Sequence, residues 1–285
     1  MKSILVPIEE SPSLDAQLES AALLAEIFNA HIDGTAPSWV MGLAPFDGAL
    51  DTIPTIGETG AFSAEAQQAR VDAAEKSFRA FVDRRGIAWE EPGVPVDHVT
   101  AGWLSPFGSG DRITAEIARL YDVTVLGRRI DKSLTPRSEL LEAVLFESGR
   151  PILVTPPEMP KRLGEIIVIA WNGSTESARL IMFAKPLLAR AKRIVVLSIE
   201  GGMVSGPAAG DVAQALRRSG LAVEATVRKP DGMTNGEAVL RYTADLGADL
   251  LLKGAYTNSR LRQMIFGGVT RHILQEATIP VLMSH

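Results

Sequence analysis

The chain carries the same sequence pattern twice, and this repeat limits the folds that it can adopt. Residues 4–11 (ILVPIEES) and 167–174 (IVIAWNGS) each contain an apolar run, a polar pair and a serine. The ends of the two segments also correspond, because residues 150–154 resemble residues 279–283. Self-similarity on this scale indicates duplicated domains rather than a short-period solenoid.

Within each half, short β-branched runs alternate with amphipathic stretches of helical length. This alternation is typical of βαβ units and of a parallel sheet. The strongest helix pattern covers residues 175–190, directly after Ser174. The second-half strands are predicted at 165–171, 193–199, 222–228, 248–253 and 279–283. We therefore predict an α/β fold of two tandem, doubly wound, Rossmann-like domains, each with a five-stranded parallel sheet.

The domains are predicted at residues 1–156 and 163–285, joined by a proline-rich linker. The first half contains a surplus of Pro, Gly and Thr at about 36–62. Such an insertion is a loop or partner-contacting flap in one interpretation and a cover for a site in the other.

Composition excludes several classes of function. A formal net charge of −5 gives no overall basic field for nucleic acid, and the absence of cysteine removes disulfides and thiolate metal sites. The four histidines have no spacing that makes a metal set. The start of the chain lacks a signal-peptide pattern, and no stretch approaches the roughly 20 apolar residues of a membrane span. We expect a cytoplasmic protein that does not contact membranes.

In an open parallel sheet, ligands bind outside the carboxyl ends of the strands, where the winding direction reverses. In the second half this edge carries the loop 172–174 after the first predicted strand. It also carries residues 254–260 after the fourth strand, followed by residues 267–270.

These loops make the chain resemble the universal stress protein family, whose fold is similar to that of the adenine nucleotide alpha hydrolases. Nucleotide-binding members carry G-x2-G-x9-G-[S/T] after the fourth strand. Gly254 and Gly267 take the first and third glycines, whereas Thr257 stands at the second glycine and Gly268 at the Ser/Thr position. Thr270 falls on a later position that commonly carries a phosphate-contacting hydroxyl.

The sequence departs from the family pattern in two places. Asn172 replaces the acidic residue that contacts the nucleoside, and the β-branched Thr257 resists the backbone conformation that glycine permits. Arg260, Arg262 and Arg271 supply positive charge nearby. In the other interpretation, the glycines serve only turns and a helix start, and the arginines form a solvated face. The nucleotide-binding residues implied by the resemblance are Ala170, Asn172, Ser174, Val227, Gly254, Thr257, Arg260, Gly267, Gly268, Val269 and Thr270.

The first half lacks the same groups. Ser138, Glu139 and Leu141 stand where the second half has Gly267, Gly268 and Thr270. We therefore predict a structural copy without a nucleotide site, in which Glu9 and Glu10 are loop carboxylates.

The leading hypothesis is a stress-response protein that binds or senses ATP or another adenine nucleotide, with magnesium, and is at most a slow ATPase. The alternative is an interaction or scaffold module whose sites have decayed. A third hypothesis, an adenylate-transferring or flavoprotein-type enzyme, lacks the H-x-G-H and S-G-G-x-D-S signatures. We also expect residues 152–154 and 281–283 to pair as edge strands in an intramolecular pseudo-dimer, and two chains to form a homodimer.

Overall fold

The computed structural model describes residues 1–37, 64–90, 97–105, 110–128, 138–255 and 268–285. Most of the predicted insertion at 36–62 lies outside these ranges. The strands are β1 (Ser3–Pro7), β2 (His31–Thr35), β3 (Ala88–Trp89), β4 (Thr100–Leu104), β5 (Val123–Gly127), β6 (Ile152–Thr155), β7 (Ile166–Ala170), β8 (Arg193–Ile199), β9 (Val223–Arg228), β10 (Leu250–Gly254) and β11 (Val281–Ser284). The helices are α1 (Leu14–Phe28), α2 (Ala64–Arg85), α3 (Asp111–Ala118), α4 (Ser138–Glu147), α5 (Thr175–Leu188), α6 (Ala209–Arg218), α7 (Asn235–Asp245) and α8 (Gly268–Glu276).

The described strands form one sheet in the order β3-β4-β2-β1-β5-β6-β11-β10-β7-β8-β9. Neighbouring strands are parallel within each half. Each half is therefore doubly wound, with its first strand in the middle. The five strands and the helix predicted for the second half are present, and their ends differ from the predicted ends by at most two residues.

The described part of the first half contains six strands, one more than the predicted five. The additional strand is β3, which has two residues and pairs with β4 at the outer edge of the sheet. Its Trp89 packs edge-on against Phe78 of α2, with ring centroids 6.1 Å apart. This aromatic contact holds the short segment against the sheet edge.

The two halves meet through an antiparallel pair of strands. Leu153 of β6 lies opposite Leu282 of β11, and both side chains are buried. The predicted pairing of these two segments is present. Each strand would otherwise leave a row of main-chain donors and acceptors unpaired at a sheet edge.

Helices cover both faces of the sheet. One apolar layer contains α1, α2, α5 and α6, and the other contains α3, α4, α7 and α8. Alternate residues of a strand enter opposite layers, as Leu250 and Leu251 of β10 do. Because the central strands are buried on both faces, they are apolar runs without polar alternation.

Candidate functional site

The centre of the second half is the point where its winding reverses. Strands β7 and β10 are neighbours, and Lys253 lies opposite Ala170 near their carboxyl ends. From β7 the chain continues to β8 on one side, and from β10 it continues to β11 on the other. This arrangement creates the crevice in which open α/β sheets bind ligands. Ala170 is buried, so it contributes only main-chain atoms to such a site.

Asn172 and Ser174 build the start of α5. The Ser174 hydroxyl accepts a hydrogen bond from the Ser177 amide at 3.2 Å and caps the helix. Oδ1 of Asn172 accepts from the Ser174 amide at 3.3 Å and from the Ser177 hydroxyl at 2.7 Å. A ligand that used Oδ1 of Asn172 would have to compete with these two bonds.

Gly254 ends β10 directly below the first turn of α5. A Cβ atom at this position would lie 2.6 Å from the main-chain nitrogen of Ser177 and 2.9 Å from the carbonyl carbon of Glu176. The close approach of strand and helix therefore requires glycine. The resemblance assigned this glycine to phosphate binding, whereas the structure gives it a packing role as well.

Lys253 was not among the residues singled out in the sequence. Its side chain is only 6% exposed, and its Nζ donates a hydrogen bond to the main-chain oxygen of Gly254. Burial lowers the pKa of this ammonium to about 8, while the nearby Glu176 carboxylate acts in the opposite direction. One signal could have identified it: a lysine directly follows three consecutive leucines, residues 250–252.

Three predicted residues form the first turn of α8. Gly268 is exposed, and a Cβ at that position would meet no atom of the described residues within 4 Å. Val269 is partly buried. Thr270 is only 5% exposed, so its side chain lies on the buried face of α8. The first turn contains no acidic residue, so no carboxylate there opposes an anion at the amide end of the helix.

The loop after β8 packs over the loop after β7. The Val204 amide donates to the main-chain oxygen of Asn172 at 2.8 Å. The Trp171 indole donates to the main-chain oxygen of Pro207 at 2.8 Å. A Cβ on Gly206 would lie 2.4 Å from the main-chain oxygen of Gly173, so the two loops are in close contact.

Of the remaining predicted residues, the structure describes only Val227, which does not join this group. Val227 is 57% exposed on β9, and β8 separates that strand from β7. Thr257, Arg260 and Gly267 lie outside the described residues, as does Arg262.

The equivalent edge of the first half has a cavity of about 440 Å³. It lies between the loop after β1, the end of β2 and α2. Its polar lining includes Glu9, Glu10, Gln67 and Arg70. At the start of α4, the exposed Glu139 adds negative charge where the second half has Gly268.

No group of three or more His, Asp or Glu residues in the described ranges is arranged to hold a metal ion. None of the helices in those ranges has the length and apolarity needed to cross a membrane.

Comparison with known proteins finds a family match for the second half of the chain. Residues 165–285 match the model of the universal stress protein family. Universal stress protein Slr1230 from Synechocystis sp. is 28% identical over 171 residues. That match covers 57% of this chain and 57% of the relative, so it spans little more than half of either protein.

Solved structures extend the similarity of fold to the whole chain. A universal stress protein from Archaeoglobus fulgidus is 15% identical, has a TM-score of 0.68 and is matched over 99% of this chain and 97% of its own. A functionally unknown protein from Pseudomonas aeruginosa is 15% identical, with a TM-score of 0.55 over 100% of this chain and 92% of its own. At this identity the structures show the fold alone. The match of residues 165–285 therefore relates the second half of the chain to the universal stress protein family, and the solved structures show a similar fold for the whole chain.

Proposed function

We propose that this is a stress-response protein whose second half binds ATP or another adenine nucleotide without strong turnover. The observation that carries the proposal is the pairing of β7 with β10 at the point where the winding reverses. Ligands of open α/β sheets bind outside such strand ends. The stress-response role follows the family, and the nucleotide is our inference for this chain.

Two features of the described residues fit a nucleotide. The amide end of α8 is open at Gly268, and an oriented helix start favours phosphate groups. Lys253 supplies a cation at the carboxyl end of β10. Magnesium enters the proposal only as the counter-ion of ATP.

The interaction-module alternative is favoured by a different observation. The contacts of Val204 and Gly206 with residues 172–173 occupy space beside the carboxyl end of β7, where a nucleoside would have to lie. Nucleotide binding therefore requires that these contacts leave room for a nucleoside or rearrange to admit it.

Calorimetric titration of the full chain with ATP and magnesium tests the proposal. We expect saturable binding at one site per chain. Gly268→Glu should abolish it, because a carboxylate would then stand at the amide end of α8. The matched control is Glu139→Gln, which changes the corresponding position of the first half and should leave the affinity unchanged. No binding heat and no thermal shift at millimolar ATP would favour the interaction module.

A further inference from the structure

Lys253 places a buried cation at the crevice between β7 and β10. The amides of Leu251 and Ala255 donate to Pro280 and Ser284, on the β11 side of the strand. Because successive residues of a parallel strand direct their main-chain groups to opposite sides, Gly254 is directed towards β7. The Lys253 ammonium bonds to the main-chain oxygen of that glycine, and therefore lies at the carboxyl end of the crevice.

The side chain of Lys253 also leaves the sheet on the face that carries α8. Side chains alternate along a strand, so Lys253 shares a face with Leu251. Leu251 is part of the apolar layer formed with α7 and α8. The cation and the open amide end of α8 are therefore on the same side of the sheet.

This ammonium lacks a close counter-ion among the described residues. The Gly254 oxygen is its hydrogen-bond acceptor, and within those residues no carboxylate oxygen lies within 4.0 Å of its nitrogen. A buried charge without a paired partner is unfavourable, and at functional sites such a cost is offset when a ligand arrives. The lowered pKa has the same origin, because burial disfavours the charged form.

We infer that Lys253 is the residue that recognises the phosphate groups of the bound nucleotide, an assignment that rests on the proposed function. Lysine binds phosphate as a point charge. At this position it would act together with the amide end of α8.

The test compares three ligands in the full chain: ATP with magnesium, adenosine, and inorganic tripolyphosphate. The variants are Lys253→Met, Lys253→Arg and the control Lys192→Met, whose side chain is exposed and pairs with Glu165. We expect Lys253→Met to weaken ATP and tripolyphosphate binding about tenfold or more, and to leave adenosine binding unchanged. Lys253→Arg should retain most of the affinity, and Lys192→Met all of it.

A pH titration provides a second measurement that does not depend on the methionine variant folding. With a pKa of about 8, the protonated fraction of Lys253 falls about tenfold between pH 7 and pH 9. Tripolyphosphate affinity of the wild type should fall by a similar factor relative to Lys253→Arg, which stays charged. Among the described residues, the charged or titratable groups on the elements at this edge include Glu176 and Arg179 on α5, Arg271 and His272 on α8, and His285 after β11. Wild type and Lys253→Arg both contain these groups. The ratio of the two tripolyphosphate affinities at each pH therefore cancels their contribution.

The outcomes separate this inference from the proposed function. Equal ATP affinity in wild type and Lys253→Met, with no difference in pH dependence between wild type and Lys253→Arg, would overturn the role of Lys253 and leave nucleotide binding standing. Tripolyphosphate binding that depends on Lys253 without any ATP binding would support the anion site and reject the nucleotide. Failure of the wild type to bind either anion would overturn both.

Discussion

Asp122 and Asp249 make the same contact in the two halves of the chain. The Asp122 carboxylate accepts hydrogen bonds from the amides of Lys2 and Ser3, at 2.5 and 3.2 Å, where β1 begins. The Asp249 carboxylate accepts from the Ile166 amide, at 3.3 Å from each oxygen, where β7 begins. Each aspartate therefore ties the first strand of its half to the strand that directly follows that aspartate in sequence, β5 after Asp122 and β10 after Asp249.

Removing either carboxylate should destabilise the protein. Asp249→Ala leaves the Ile166 amide without its side-chain acceptor, and Asp122→Ala does the same at β1, so each should cost about 1–3 kcal/mol of unfolding free energy. Denaturation followed by circular dichroism measures this. The control is Asp97→Ala, because this carboxylate is fully exposed and its loss should leave stability nearly unchanged. If Asp122→Ala and Asp249→Ala lost no more stability than this control, the two aspartates would have no structural role.

The junction of β6 and β11 should be sensitive to the loss of buried side-chain volume. Leu282→Ala removes buried volume opposite Leu153 and should cost about 2–5 kcal/mol. Leu120→Ala is the matched control, because Leu120 is 81% exposed. Denaturation followed by circular dichroism compares the unfolding free energies of the two variants. Equal stability of the two variants would show that the β6–β11 pair does not hold the halves together.

Two glycines of the candidate site should respond oppositely to alanine. Gly254→Ala places a methyl group 2.6 Å from the Ser177 nitrogen, so α5 or β10 must shift and stability should fall by about 1–3 kcal/mol. Gly268→Ala meets open space in a helix and should be neutral or gain up to about 1 kcal/mol. Thermal denaturation of both variants checks the contrast. A tolerated Gly254→Ala would show that the strand and helix can separate without cost.

Lys253 should make stability depend on pH. Its pKa is about 8 in the folded protein against 10.5 ordinarily, so between these values the unfolded chain holds more protons. The unfolding free energy should therefore rise with pH from about 8 to about 10.5, by about 3 kcal/mol in total. Lys253→Met should lack this rise and should be more stable than wild type at pH 7 without ligand. Denaturation at pH 7 and pH 10 tests this, and parallel profiles for the two proteins would contradict it.

The sequence was sufficient to predict the second-half strands because the central ones are buried on both faces. Strands such as β7 and β10 are mainly continuous apolar runs, and amphipathic helices separate the strands along the chain. The short strand β3 gave no such signal, since it has two residues and is held by the contact of Trp89 with Phe78.

The candidate site was less accessible to sequence reasoning because its contacts are non-local. The packing of residues 203–206 on Gly173 joins segments about 30 residues apart in the sequence. Lys253 lies within a strand, and nothing in its neighbouring residues shows that its ammonium ends at the crevice. Thr270 has the residue type for phosphate contact, yet the packing of α8 buries it.

Hydrogen exchange of the full chain with and without ATP and magnesium tests the central claim most directly. Binding in the second half predicts slower exchange of amides in residues 172–174 and 268–270 at saturating ATP, with the corresponding first-half residues 9–11 and 139–141 unchanged. Exchange that is unaffected by millimolar ATP in 172–174 and 268–270, or protection confined to the first half, would contradict the assignment of the nucleotide site.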